Sequence, residues 1–340
     1  MLTPAYRLTI GDRIVDTTDE PQASTLVDLT VVLDMEAPAD SFTLVLGQVG
    51  GLAPQLDDDA IIELGFAGDG DASSGSGQGL SRVMTGIVVS VEPGLTTNRV
   101  IGHSPADSLL RFTVEQTYEA KKAGEIVSDL ADQAGVAVAK AQDGISFPAY
   151  VVDGQRSVYH HMRDLAGLCG FDLYTDAQGG LVFEPFQRGK TIHTFEYAKH
   201  VLEVSARQAP PHAIGVSAWG ESPGGGQAEE AWAWLTKDFS GMAGSAGSES
   251  PALLLARPAL RTADAAQMAA DAAYSRIQRR TLRGQLLALG QPGVKLGDAI
   301  NLRDVPEATL NDTFQVRSVT HRITKQGGFT TSIGFWAGEV

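Results

Sequence analysis

Few residue types that carry chemistry stand at the spacings chemistry requires. His160 and His161 are adjacent. On a helix their side chains diverge by about 100°, so they cannot ligate one ion together, and a structural or solvated role is expected for both. No HExxH occurs, and none of the seven histidines forms an i, i+4 pair. Asp69 and Asp71 begin like a calcium loop, but Ser74 and Leu80 stand where such a loop needs its glycine and its bidentate glutamate. Gly189-Lys190-Thr191 lacks the first glycine of a phosphate-binding loop, with Glu184 in its place. A GxSxG nucleophile elbow is absent. Cys169 falls on the apolar stripe of a helix, where a buried, inert thiol is expected. Trp232 and Trp234 could anchor a partner, although alternating aromatics on a half-buried strand explain them more simply. The 41 acidic residues always offer carboxylate pairs for glycoside hydrolysis, and nothing singles one out. No catalytic, cofactor-binding or metal-binding residue is therefore assigned, and no cofactor is expected.

Composition narrows the classes further. The 340 residues are 43% hydrophobic and 20% charged, which suits about two domains or three small ones and excludes a disordered or collagen-like chain. Lys plus Arg number 26 against 41 Asp plus Glu, a formal charge of −15. That charge repels phosphate backbones and argues against a dedicated nucleic-acid binder. One cysteine rules out an internal disulfide framework and any CxxC metal site. No basic segment followed by an apolar one opens the chain, so no signal peptide is visible. Apolar runs such as Gly86–Val91 and Ala252–Ala256 are too short to span a bilayer. Cytoplasmic synthesis is expected, with exit by a route that needs no signal, such as lysis.

The elements follow from periodicity. Through residue 105 the pattern is successive strands: Tyr6, Leu8 and Ile10; Leu29, Val31 and Leu33; Phe42, Leu44 and Leu46; then Ile61–Phe66, Gly86–Val91 and Arg99–Gly102. Period-2 patterning punctuated by Gly, Pro and Asp predicts an antiparallel sandwich or barrel. Gly68–Gly79 reads as an exposed, flexible hairpin loop. Helices are predicted over Glu125–Ala134, ended by Gly135, and after Ser157 with Val158, Met162, Leu165, Ala166 and Cys169 as its stripe and Gly170 as its stop. A hairpin follows through Phe171–Thr175 and Leu181–Glu184. Strands then return, including Ala213–Trp219, and low-complexity stretches Gly220–Ala228 and Ser240–Ser250 flank Glu229–Leu235. Thr262 caps an Ala-rich helix to about Arg280, with Asp264 and Asp271 early and Arg276, Arg279 and Arg280 late, as the helix dipole favours. Near the C-terminus the apolar phase shifts between Phe314/Val316 and Val319/His321/Ile323, which predicts a β-bulge near Arg317-Ser318.

Three stretches resemble a known family. Phe147-Pro-Ala-Tyr through Phe171-Asp-Leu-Tyr174 and then Gly180-Leu-Val-Phe183, Leu282-Arg-Gly-Gln through Gly297-Asp-Ala-Ile-Asn-Leu302, and Phe314-Gln-Val-Arg-Ser-Val-Thr-His-Arg-Ile323 with Gly327-Gly-Phe-Thr-Thr331 resemble the phage late control gene D proteins. They are also similar to the hub part of the type VI secretion valine–glycine repeat protein G. The order of these segments covers nearly the whole chain. The resemblance implies a mainly β fold with an α+β insertion: a first tube-like barrel over 1–105, an inserted α+β domain over 106–190, and a second barrel over 191–340 that carries flexible loops at 220–250 and the Ala-rich helix 262–280.

It further implies a non-enzymatic, homotrimeric baseplate hub that adapts a hexameric tail tube to a trimeric spike in a contractile phage tail or related injection particle. Expected partners are the tube or a tube initiator, a separate spike chain (since this chain stops after the closing hairpin) and baseplate wedge proteins. Sequence-specific nucleic-acid binding and stable membrane insertion are not expected. Part of the acidic excess is expected to line a central channel and repel passing DNA. Two rivals stay open: a tail-associated cell-wall hydrolase, and a glycan-binding β-module.

Overall fold

The computed structural model describes residues 3–17, 25–47, 54–67, 79–187, 191–220, 243–248, 250 and 252–338. The chain begins with β1 (Thr3–Ile10), β2 (Arg13–Asp16), β3 (Leu26–Asp34), β4 (Ser41–Gly47), β5 (Asp59–Ala67), β6 (Ser81–Pro93) and β7 (Thr97–His103). Alternation places Tyr6, Leu8 and Ile10, then Leu29, Val31 and Leu33, then Phe42, Leu44 and Leu46 on one buried face each, so strand period and burial agree. The segment 68–78 joins the antiparallel pair β5 and β6 and lies outside the described residues.

Next come α1 (Asp107–Arg111), β8 (Gln116–Lys122), α2 (Ala123–Gln133), β9 (Val138–Ala141), β10 (Ser146–Val152), α3 (Val158–Cys169), β11 (Asp172–Thr175) and β12 (Leu181–Glu184). Ile126, Val127 and Leu130 of α2 face Met162, Leu165 and Ala166 of α3 in a common core with Phe147 and Phe183. Gly170 ends α3 in the left-handed conformation, φ 70°, and its amide donates to the Ala166 carbonyl. A side chain there would be strained and would meet Ala272.

The remainder runs β13 (Ile192–Glu196), β14 (Val201–Gln208), β15 (Gly215–Trp219), β16 (Gly244–Gly247), β17 (Ala252–Ala256), α4 (Ala263–Arg279), β18 (Leu282–Leu289), β19 (Ala299–Arg303), β20 (Thr313–Thr324) and β21 (Gly328–Ala337). Thr262 Oγ1 accepts the Ala265 amide at 3.2 Å and caps α4. The alanine stripe Ala266, Ala269 and Ala270 is buried. It lets β16 approach so closely that a Cβ on Gly244 would stand 2.3 Å from the Ala266 backbone.

Among the described residues, one thirteen-stranded sheet runs β14-β18-β21-β20-β3-β4-β7-β6-β5-β1-β2, with β19 also on β20 and β13 parallel to β19. β20 is the join. Its first residues, Thr313–Gln315, pair with β19, and Ser318–Thr324 pair with β3. The register against β21 slips between Val316 and Ser318, where the sequence predicts a bulge. One extra residue bends the strand and lets it serve both neighbours.

The fold is thus mainly β with small helical parts. Its two cores do not follow chain order. The first combines Leu8, Phe42 and Leu44 with Val319, Ile333 and Phe335 from the far end of the chain. The second combines the helices α2 and α3 with Val216, Ala218 and the buried face of α4.

Candidate functional site

A charged node lies where the two cores meet, and β20 supplies its centre. Phe314 and Val316 face the first core, so the intervening Gln315 and Arg317 face the other way, toward the helical unit. Both are buried. Arg317 Nη2 donates to Glu36 Oε1 at 2.7 Å, from the turn between β3 and β4. Its Nη1 donates to Asp172 of β11, which also accepts from Gln315 Nε2 at 2.6 Å. The guanidinium stacks on Trp336 of β21, 4.4 Å from the ring centre, and Arg280 does so at 4.8 Å.

Glu36 collects further cations. Arg163 of α3 donates to its Oε2 at 2.9 Å and to the Met35 carbonyl at 2.9 Å. Arg276 and Arg280, at the end of α4, reach the same oxygen at 3.7 Å. Burial opposes the Glu36 charge, but Arg163, Arg317 and Arg276 together hold its carboxyl below the usual range. Burial and mutual repulsion depress Arg276, with Glu36 opposing. Cations therefore outnumber carboxylates here, the reverse of the chain as a whole. Beside the node opens a cavity of about 580 Å³ that Arg163, Arg276, Arg280 and Arg257 share with Tyr159, Leu255 and Ile277.

A second polar link crosses the same boundary. Thr175 of β11 donates to Asp40 Oδ2 at 2.5 Å, while the Asp34 amide donates to Oδ1 at 2.9 Å. Burial outweighs these bonds and pushes the Asp40 carboxyl up to about 6. Within the first core His321 is fully buried, bonded through Nδ1 to Thr331 Oγ1 at 3.0 Å. Among the described residues its Nε2 has no partner, and burial pushes the imidazole down to about 4.

The residues weighed for chemistry resolve differently. His161 is buried, with Arg156 donating to Nδ1 at 3.2 Å and Nε2 facing the Asp153 carbonyl at 3.1 Å. Exposed His160 holds the Ser157 hydroxyl at 2.8 Å, so Ser157 occupies the N-cap position without capping the backbone. Cys169 is free and buried, its thiol pushed up to about 12 by burial, the state of an inert thiol. Asp69, Asp71, Trp232 and Trp234 lie outside the described residues. Among the described residues no group of three or more His, Cys, Asp or Glu could hold a metal. Residue spacing does not reveal the node itself. Its one sequence signal was the run of arginines ending α4, which helix-dipole reasoning already explained and which converges on Glu36.

No sequence-family model matches the chain, and no curated protein sequence does. Solved structures do match in shape. The 43 kDa tail protein of prophage MuSo2 from Shewanella oneidensis superposes with a TM-score of 0.71 at 14% identity, over 98% of each chain. A tail protein from Neisseria meningitidis gives 0.72 at 13% identity, over 98% of this chain and 96% of that one. An E. coli component of the type VI secretion system, itself structurally similar to the T4 bacteriophage tail proteins gp27 and gp5, gives 0.59 at 11% identity, over 98% of this chain and 77% of that one. The chain therefore shares its fold, over 98% of its length, with phage tail proteins.

Proposed function

We propose that the chain is a structural component of a phage tail or phage-tail-like injection particle, and within it the central baseplate hub. In this reading three copies form a ring that joins a hexameric tail tube to a trimeric spike, with wedge proteins around it. The division into a first barrel (1–105), an insert (106–190) and a second barrel (191–340) belongs to the same proposal. One observation carries the reading: the end-to-end superposition on two tail proteins, over 98% and 96% of their chains. The role is read as non-enzymatic, a reading supported by the likeness to tail proteins.

Physical chemistry supports a ring. β14 and β2 end the sheet order among the described residues, and open sheet edges need partners. A closed homo-oligomer supplies them. Part of the −15 charge would face the channel and keep DNA from adhering in transit. No described helix is long and apolar enough to cross a membrane.

Imaging particles from cells that produce the chain with an epitope tag tests the proposal. The expected result is tag density at the tube tip, in three copies about the axis. A chain that stays strictly monomeric and is absent from every tube and spike overturns it.

A further inference from the structure

We propose that the cavity beside the arginine node is a docking site for an acidic peptide segment of a partner protein, one that carries a carboxylate next to a branched apolar side chain. The proposal rests on the cavity's chemistry and goes beyond the hub reading. Its volume, about 580 Å³, exceeds what a lone small anion would fill. Its lining combines the guanidiniums of Arg163, Arg257, Arg276 and Arg280 with the apolar side chains of Leu253, Leu255 and Ile277.

The cations are under-matched. Glu36 is committed to Arg317 at 2.7 Å and Arg163 at 2.9 Å. Asp164, the other carboxylate in the lining, is bound by Arg156 at 2.8 Å. Among the described residues Arg276 and Arg280 make no side-chain hydrogen bond, and each meets Glu36 at 3.7 Å. Among the described residues the buried Arg280 Nε has no hydrogen-bond partner. Burial and neighbouring guanidiniums weaken the hold of Arg276 on its proton. Arg276 and Arg280 are still about a third exposed, so their terminal guanidinium nitrogens can be reached by an incoming carboxylate, which would bond them bidentately.

The apolar lining selects the rest of the ligand. Leu253 is 39% exposed and, with Leu255 two residues on, lines the cavity from β17. Alternate residues of a strand share a face, so the two leucines form one apolar strip beside the guanidiniums. Phosphate would satisfy the arginines but leave that strip wet. A peptide presenting Glu or Asp beside Leu, Ile or Val satisfies both kinds of lining. The surface of the chain at large is acidic, with 41 acids against 26 bases, so a basic cleft on it also steers an acidic segment to this one place.

Fluorescence anisotropy with the full chain tests this. The probe is a labelled octapeptide alternating Glu and Leu, and the control replaces every Glu by Gln. The expected result is that the Glu peptide binds about tenfold or more tightly than the control, and that added salt weakens it. Arg257→Gln should weaken binding of the Glu peptide about tenfold with an unchanged melting temperature, because Arg257 has no part in the Glu36 network. Arg276→Gln should weaken binding as well, and because Arg276 also faces Glu36 its effect is read only alongside that of Arg257→Gln. Equal binding of the two peptides, or no effect of Arg257→Gln in a folded protein, overturns the proposal. So does full displacement of the peptide by inorganic phosphate at the affinity of phosphate alone, which would make the cavity a small-anion pocket. Particle assembly is not read in this assay, so either proposal can fail without the other.

Discussion

Arg317 Nη2 bonds to Glu36 Oε1 at 2.7 Å although 281 positions separate them in the chain. The same guanidinium reaches Asp172, so one side chain from the bulged strand ties a turn of the first sheet section to the helical unit.

Cutting that tie should be costly. Arg317→Met is isosteric enough to keep the Trp336 contact but strands Asp172 and Glu36 near the boundary. The expected loss is about 3–5 kcal/mol, the usual result of removing one partner of a buried pair. Urea unfolding measures it, and a loss below about 1 kcal/mol would show that water already screens the node.

Asp40 gives a pH signature. Its carboxyl stands at about 6 against 3.8 in the unfolded chain, so the native state holds the proton more tightly. The contribution is fully present below pH 3.8 and is lost as pH rises through 6. Asp40→Asn removes the buried charge while keeping an acceptor for the Asp34 amide. It should raise stability at pH 7 by up to about 3 kcal/mol, and by little at pH 4. Thermal melts at the two pH values check this.

His321 has the opposite sign. Its imidazole stands at about 4 against 6.5 unfolded, so its contribution is present above pH 6.5 and is lost as pH falls through 4. Between pH 6 and pH 4 the two groups offset each other, and the wild-type melting curve should be nearly flat in their combined contribution. His321→Leu should remove a loss of about 3 kcal/mol on acidification. A protein carrying only that change should then gain stability from Asp40 as pH falls from 6 to 4, as melts across that interval would reveal.

Cys169 should be silent. With its thiol at about 12 and buried, almost no thiolate exists at neutral pH. Ellman's reagent should label it only as fast as the protein unfolds, and rapid labelling of the native chain would contradict the burial.

Much of the secondary structure was legible because it is local. Alternation of Tyr6, Leu8 and Ile10 marks a strand whatever lies beside it, and the stripe Val158, Met162, Leu165, Ala166 and Cys169 marks a helix. Thr262 and Gly170 were readable as a cap and a stop, because each acts on backbone groups within a few residues. Even the bulge in β20 left a trace, since an extra residue shifts the apolar phase. Weakly patterned strands such as β2 and β14 left none; β14 is mostly exposed, so burial imposed no pattern on it.

The sequence by itself determined that this chain folds as a mainly β protein with a small helical part, without spacings for metal, phosphate or nucleophilic chemistry. Those properties depend on residue type and near-neighbour spacing. Tertiary structure alone decided that α4 packs with α2 and α3 and that β3 lies beside β20. It also decided that Glu36, Arg163, Arg276 and Arg317 meet at one point. Such choices are made between segments far apart in the chain, where many pairings satisfy the same local pattern. The packed whole selects the one that buries both cores and pairs the charges caught between them.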